Sequence, residues 1–139
     1  MPVKNYQFIS FKIDGQIWAM PMNKDSQFFT YDHILSLPTD NKYIAGLSYL
    51  NGQLVTILNT AKILSLASNK SVNSNQCLLF NYHDDFYALT VESGLELVTV
   101  KQVFREKKNK IFSQYIKNNK QKIFIIEPEE IFGLVKIYA

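Results

Sequence analysis

The stretch from Leu37 to Leu66 constrains the fold more than any other part of this chain. It reads LPTDNKYIAGLSYLNGQLVTILNTAKILSL, in which two apolar runs flank Asn51 and Gly52. Asn and Gly both accept the positive φ that a type I′ turn requires, and the flanking runs are rich in strong β formers. Asn59 or Thr60 can then cap a short helix that continues through Leu64. The stretch therefore predicts a β-hairpin followed by a short helix.

Two further strand-turn-strand units occur at regular spacing. The first joins Gln7–Ile13 to Gln16–Met20 through Asp14 and Gly15, and Pro21 ends it because proline has no N–H for the ladder. The second joins Cys77–Tyr82 to Phe86–Val91 around His83, Asp84 and Asp85, and Leu95–Val100 follows it after Gly94. Short strands at such intervals are typical of a barrel or sandwich.

The two units resemble each other. FISFKIDGQIWAMP and CLLFNYHDDFYALT each have an aromatic-rich strand, an Asp-bearing turn and a returning aromatic strand. This similarity suggests two similar halves, with the polar segment 67–76 as the connector between them. Met22–Asp32 stays open between an irregular strand and a loop.

Few segments favour a helix. Pro128 suits a first helical turn, where Glu129 and Glu130 would favour the helix dipole. Val103–Ile116 fits an amphipathic helix with its aromatic residues on one side. We therefore expect a mainly β fold with a few short helices.

Length and composition indicate one globular domain over 1–139. Hydrophobic residues make up 47% of the chain and charged residues 19%, and 139 residues can bury a core without disulfides. Cys77, the single cysteine, lies in an apolar run, which predicts a buried thiol in a reducing compartment. With no signal-peptide core and no run long enough to span a membrane, we expect a cytoplasmic protein without membrane insertion.

The charge distribution is uneven. Residues 101–122 hold eight of the fifteen basic residues and one of the twelve acids, so the other seven basic and eleven acidic residues give −4. Such a dipole can orient binding to an acidic partner, although a solvated lysine-rich surface has the same composition.

A search for catalytic chemistry predicts no enzyme, no cofactor, no metal and no small-molecule substrate. His33 and His83 are the two histidines, and neither lies at ligand spacing from the other or from Cys77. None of the nucleotide-binding, hydrolase or metalloprotease motifs occurs. His83 beside Asp84 stands in a turn, where Asp is common for turn geometry.

The order of the Leu37–Leu66 stretch resembles the signature of CheW-like domains, the scaffold modules of bacterial chemosensory arrays. FIIEPEEIF at Phe124–Phe132 resembles the family's closing strand and helix start. Asn51 stands where the family usually has Arg, Thr56 where it has Pro, and Asn59 where it has Asp. The matching positions of the signature are Pro38, Ile44, Gly46, Leu50, Asn51, Gly52, Thr56, Asn59 and Thr60.

The resemblance implies a fold of two small five-stranded β-barrels of SH3 or OB type, divided near the connector 67–76. It also implies two partners, the regulatory domain of a CheA-type histidine kinase and the cytoplasmic tip of a methyl-accepting chemoreceptor. Binding would serve chemotaxis signal transduction, including a specialised system such as one of type IV pili. The partner-binding positions that it implies are those of the receptor groove, Asp25, Gln27, Gly46 and Asn51, supported by Leu47, Leu50 and Leu54.

Two alternatives remain open at this level. A small β-barrel could bind single-stranded nucleic acid, with the basic segment along the phosphates and Phe28, Phe29, Tyr31 or Tyr87 as stacking platforms. Nucleic acid would leave the Leu37–Leu66 signature unexplained. A CheW-like fold could also be reused for a different protein partner.

Overall fold

The computed structural model describes residues 5–37, 40–65, 75–106 and 112–135. Over these ranges the chain forms two β-sheets and two short helices. The elements are β1 (Tyr6–Ile13), β2 (Gln16–Pro21), β3 (Gln27–Thr30), β4 (Ile44–Leu50), β5 (Gln53–Leu58), α1 (Thr60–Ile63), β6 (Gln76–Tyr82), β7 (Asp85–Thr90), β8 (Ser93–Val100), β9 (Phe104–Arg105), β10 (Gln114–Asn118), β11 (Gln121–Ile125) and α2 (Pro128–Val135). The predicted mainly β class is confirmed.

The two sheets have the same internal plan. Sheet A has the order β8-β1-β2-β11-β10-β9, and sheet B has the order β3-β6-β7-β5-β4. In each sheet two antiparallel hairpins meet through their second strands, which pair in parallel: β2 with β11, and β7 with β5. Hairpin β1–β2 therefore occupies the place in sheet A that β6–β7 occupies in sheet B, and β10–β11 corresponds to β4–β5.

This arrangement explains the likeness of the two predicted units but corrects the division between them. Strands from both sides of the connector 67–76 share each sheet, because β1 and β2 join β8 to β11, while β6 and β7 join β3 to β5. The split into one barrel before the connector and one after it is therefore wrong. Sheet A gains its central parallel pair by combining hairpins that are distant in sequence, whereas sheet B combines two hairpins that follow one another across the connector. Most of the connector lies outside the described residues, and Gln76 already belongs to β6.

The hairpin turns confirm the prediction for Asn51 and Gly52 and for Asp14 and Gly15. The hairpins β1–β2, β4–β5, β6–β7 and β10–β11 each turn through two residues with positive φ, as a type I′ turn requires. Two of the turns lack glycine. The φ values are 50° and 77° at Asp14 and Gly15, 52° and 79° at Asn51 and Gly52, 51° and 67° at His83 and Asp84, and 51° and 65° at Asn119 and Lys120.

Three apolar clusters hold the sheets together. One draws only on sheet A and its neighbouring loops and is centred on Ile116 and Ile125. A second draws only on sheet B and its neighbouring loops and contains Val55 and Cys77, so the predicted burial of the thiol is confirmed. The third lies between the sheets and includes residues of both helices. In the central strands β1, β2, β6 and β7, alternate side chains thus fill the sheet's own cluster or the shared one.

The helix predictions have mixed outcomes. α1 is capped as predicted, because Asn59 Oδ1 accepts a hydrogen bond of 3.2 Å from the Lys62 N–H. α2 begins at Pro128, also as predicted. The amphipathic helix over Val103–Ile116 is wrong, because the described residues at its two ends belong to β9 and β10. Residues 107–111 of that prediction lie outside the described residues.

Strand pairing explains the error. Ile116 is fully buried in the cluster of sheet A, while its neighbour Tyr115 packs against Phe104 and Phe124. A short run of apolar residues fits a period of two as well as a period of 3.6, and pairing with β11 selects the strand. In the ambiguous Met22–Asp32 segment, the structure has β3 at Gln27–Thr30.

Candidate partner-binding surfaces

The β4–β5 hairpin organises the surface that the sequence singled out. Asn51 stands exposed at its tip with a φ of 52°. Leu50 packs partly into the cluster of sheet B and so anchors the tip. Two grooves run along the two sides of this hairpin, and both include Leu50 and Asn51.

The first groove has a volume of about 200 Å³ and mixes polar and apolar side chains. It brings together Asp25, Gln27, Leu50 and Asn51, four of the predicted positions. Asp25 belongs to a tight loop, in which its N–H donates to Asn23 Oδ1 at 2.9 Å. Gln27 opens β3 and is exposed. We call the groove formed by these four residues the polar groove. Its side chains offer a carboxylate and two amides to a partner.

The second groove is larger, about 510 Å³, and its accessible surface is mostly apolar. Leu47, Leu50 and Leu54 line it. Tyr49 and Leu35, which the sequence analysis did not select, are its most exposed apolar residues at 70% and 66%, while Leu54 is 48% exposed. We call Leu35, Leu47, Tyr49 and Leu54 the apolar patch.

A strap at residues 31–36 closes the free edge of β4. Leu35 and Leu47 exchange backbone hydrogen bonds of 2.7 and 2.8 Å. Ser48 Oγ adds a bond of 2.8 Å to the His33 carbonyl. The strap thus covers the side of β4 that bears Gly46 and Ser48, and the larger side chains of Leu47 and Tyr49 lie on the other side.

Gly46 lies beneath this strap. A Cβ at Gly46 would lie 2.6 Å from the Leu35 carbonyl oxygen and 2.7 Å from Ile34 Cγ1. The register of β4 and β5 also shifts between Ile44 and Gly46, which marks a β-bulge. The resemblance places Gly46 among the partner-binding positions, but the chain's own strap fills the space beside its Cα.

The sequence held a signal for the residues that were missed. In β4 the buried positions are Gly46 and Ser48, while Leu47 and Tyr49 alternate with them. A strand that buries its small and polar residues and turns its large apolar ones outward indicates a contact surface. The isolated apolar pair Ile34 and Leu35, between His33 and Ser36, also indicates a contact surface.

Two titratable side chains, Cys77 and Tyr31, belong to the cluster of sheet B or pack against it. Burial raises the pKa of the Cys77 thiol to about 12, and burial together with Cys77 raises the pKa of Tyr31. Both groups are therefore neutral at physiological pH. Among the described residues no group of three or more His, Cys, Asp or Glu side chains could hold a metal ion, and no helix there has the length and apolarity to cross a membrane.

The four aromatic side chains considered as stacking platforms for nucleic acid pack against the protein itself. Tyr87 is buried against Phe80 and Phe132, and the Phe28 ring packs on Gly94. Phe29 and Tyr31 pack partly against the cluster of sheet B. Bases need ring faces that are free in solution, and these four side chains serve the core instead.

Comparisons with known proteins agree with this architecture. The family model of the CheW-like domain matches residues 7–136. The fold is similar to the crystal structure of the scaffolding protein TtCheW from Thermoanaerobacter tengcongensis, with a TM-score of 0.80 and 12% identity over 93% of each chain. No curated protein matches the sequence significantly.

Proposed function

This chain belongs to the CheW-like domain family, and we propose that it is a non-catalytic chemosensory adaptor that joins a chemoreceptor tip to the regulatory domain of a CheA-type histidine kinase. It acts in the cytoplasm by holding two partners at a fixed geometry, with no covalent step of its own. A conformational shift in one partner then biases the other through their shared scaffold. A specialised array, such as one of type IV pili, is a suitable setting for so divergent a member.

The apolar patch is the observation that favours this function most. Tyr49, Leu35 and Leu54 are all about half exposed or more and lie side by side around one hairpin. Contiguous exposed apolar side chains on a small domain mark protein contacts, and aromatic residues such as Tyr49 are enriched at their centres. We assign this patch to the kinase regulatory domain, which offers a sheet of similar construction.

The polar groove suits the receptor tip. Gln27 and Asn51 provide amide donors and acceptors, and Asp25 provides a carboxylate. The family's usual Arg would add a bidentate fork at position 51, whereas Asn51 offers a single amide. A receptor side chain that is polar but uncharged therefore fits this groove better than a carboxylate.

The grooves share Leu50 and Asn51, so occupation of one can alter the other. Asn59, where the family usually has Asp, is already engaged in capping α1 through its Oδ1. Asn51 and Asn59 are both uncharged, so the side chains at positions 51 and 59 cannot form an ion pair in this chain. The adaptor role then depends on apolar and amide contacts.

Titration against the two partners tests the proposal. The kinase regulatory domain and a receptor-tip peptide of the same organism are each titrated into the protein and into its Tyr49→Ser and Gln27→Arg variants. Both side chains are exposed, so neither change disturbs the core. Leu97→Ser is the control, because Leu97 is 51% exposed but lies on β8 in sheet A.

We expect Tyr49→Ser to weaken kinase binding about tenfold or more, as truncation of a central interface aromatic does. Gln27→Arg should weaken receptor binding alone, and Leu97→Ser should change neither. Absence of saturable binding to both partners would contradict the adaptor role and favour a CheW-like fold reused for another protein.

A further inference from the structure

The β10–β11 hairpin presents two lysines directly opposite each other. Lys117 and Lys122 form a cross-strand pair, and both are exposed. Like charges in this position repel each other and destabilise the sheet. Glu106 forms an ion pair with Lys122, so its charge offsets only part of the local excess.

The position of this pair in the fold is informative. Lys117 and Lys122 each stand two residues from the turn, as Tyr49 and Leu54 do in the corresponding β4–β5 hairpin. The same place in the two sheets thus carries an apolar pair in sheet B and a cationic pair in sheet A.

Aromatic rings support the lysines from below. A row crosses four strands from β2 to β9, with ring centroids 6.3 Å apart between Trp18 and Phe124, 5.7 Å between Phe124 and Tyr115, and 5.4 Å between Tyr115 and Phe104. Lys117 Nζ lies 4.8 Å from the centre of the Phe104 ring, and Lys122 Nζ lies 4.5 Å from that of Tyr115. Such cation–π contacts fix the position of the two ammonium groups.

The turn adds a third lysine. Lys120 has a φ of 65°, at the position where the corresponding hairpin has Gly52. The left-handed conformation costs a lysine about 1 kcal/mol that glycine does not lose. A charged residue thus replaces the residue that the turn geometry prefers.

We propose that Lys117, Lys120 and Lys122, which we call the lysine face, form a docking surface for an acidic segment of a partner protein. Charge complementarity favours this occupant, because three ammonium groups and one carboxylate leave a net positive surface.

Nucleic acid fits this surface less well. Phe104, Tyr115 and Phe124 are half-buried, pack against each other and lie beneath the lysines. None of these rings therefore offers a free face on which a base could stack. The lysine face is on sheet A and contains no residue of the polar groove or the apolar patch, so its function does not depend on the proposed adaptor role.

Fluorescence titration with a labelled oligoglutamate peptide tests the proposal, with oligothymidylate of equal length as the competing ligand. The double variant Lys117→Gln/Lys122→Gln is compared with Lys42→Gln/Lys62→Gln, which removes the same charge from exposed sites elsewhere. We expect the first variant to bind the peptide about tenfold more weakly than the parent and the control to bind nearly as well.

Lys120→Gly and Asp84→Gly separate binding from stability. Both replace the second residue of a turn that has positive φ, so both should raise the melting temperature. Only Lys120→Gly should weaken peptide binding. Equal loss of binding in both double variants, no saturable peptide binding at low ionic strength, or tighter binding of oligothymidylate than of the peptide would overturn the proposal.

Discussion

Phe28 of β3 lies with its ring directly over Gly94 of β8, where a Cβ would be only 2.7 to 2.8 Å from three ring carbons. The contact joins the two sheets, since β3 belongs to sheet B and β8 to sheet A. An aromatic side chain can lie this close only where its neighbour has no side chain.

Gly94→Ala should therefore destabilise the protein by about 1 to 3 kcal/mol, as overpacking of a filled interior does. Urea unfolding measures the change. Gly133→Ala is the matched control, because Gly133 lies in α2 with open space around it. Alanine there should stabilise the protein by about 0.5 to 1 kcal/mol through its better helix propensity. An unchanged midpoint for Gly94→Ala would show that Phe28 moves aside freely.

Gly46→Ala should release the strap from β4. The new methyl group would collide with the Leu35 carbonyl oxygen, a backbone atom that cannot rotate away. We expect faster amide hydrogen exchange at Leu35 and Leu47, whose N–H groups form the bridge. Exchange in β10 and β11 should stay the same. Unaltered protection of both bridge amides would contradict this account of Gly46.

Asn59→Ala should destabilise the protein by about 1 kcal/mol, because it removes the side-chain acceptor that caps α1. Asn59→Asp restores the residue usual in the family and keeps an acceptor oxygen, so it should retain the stability of the parent. Thermal unfolding of the two variants distinguishes loss of the cap from other effects of the position. A similar loss in both would mean that the amide nitrogen matters more than the acceptor.

Glu127 should make the protein less stable as the pH rises. Burial, with a smaller contribution from Glu129, raises the pKa of its carboxyl group above the usual range. The folded state then binds the proton more tightly than the unfolded state, so this stabilisation is complete below the ordinary Glu pKa and is lost as the pH rises through the folded value. Glu127→Gln should reduce this slope.

Urea unfolding at about pH 4, below the ordinary pKa of a glutamic acid, and at about pH 7 measures the effect. The Glu127→Gln variant should gain stability relative to the parent at the higher pH. Burial also raises the pKa of Glu130, with Glu127 as a further cause and Arg105 opposing it, so removal of the Glu127 charge relieves part of that shift. An equal difference between variant and parent at both pH values would contradict the assignment.

Local signals predicted the local structure well. Asn51 with Gly52, and Asp14 with Gly15, specify their turns because few residue pairs accept two positive φ values. Asn59 and Pro128 mark their helices for similar reasons of capping and fixed φ. In each case neighbouring residues are sufficient to determine the conformation.

Long-range structure was harder to predict. Hairpins from both sides of the connector share each sheet. This arrangement depends on the parallel pairing of β2 with β11 and of β7 with β5, which no local pattern encodes. The burial of Gly46 depends on a strap that begins fifteen residues before it in sequence and returns to β4. Of the predicted partner-binding positions, the six other than Gly46 border the two grooves beside one hairpin, because the signature stretch and β3 determine that region.

The order of strands also has a consequence for synthesis of the chain. Sheet B consists of β3 to β7, which follow one another in sequence, so it can assemble before the later strands have left the ribosome. Sheet A must wait, because the hydrogen bond between Ser10 Oγ and the Glu96 carbonyl joins residues 86 positions apart. Until β8 emerges, the hairpin β1–β2 lacks the neighbours that bury Phe8 and Ala19. The earliest strands made are thus among the last to be covered from solvent. The risk of misassembly is greatest while their apolar faces are exposed during translation.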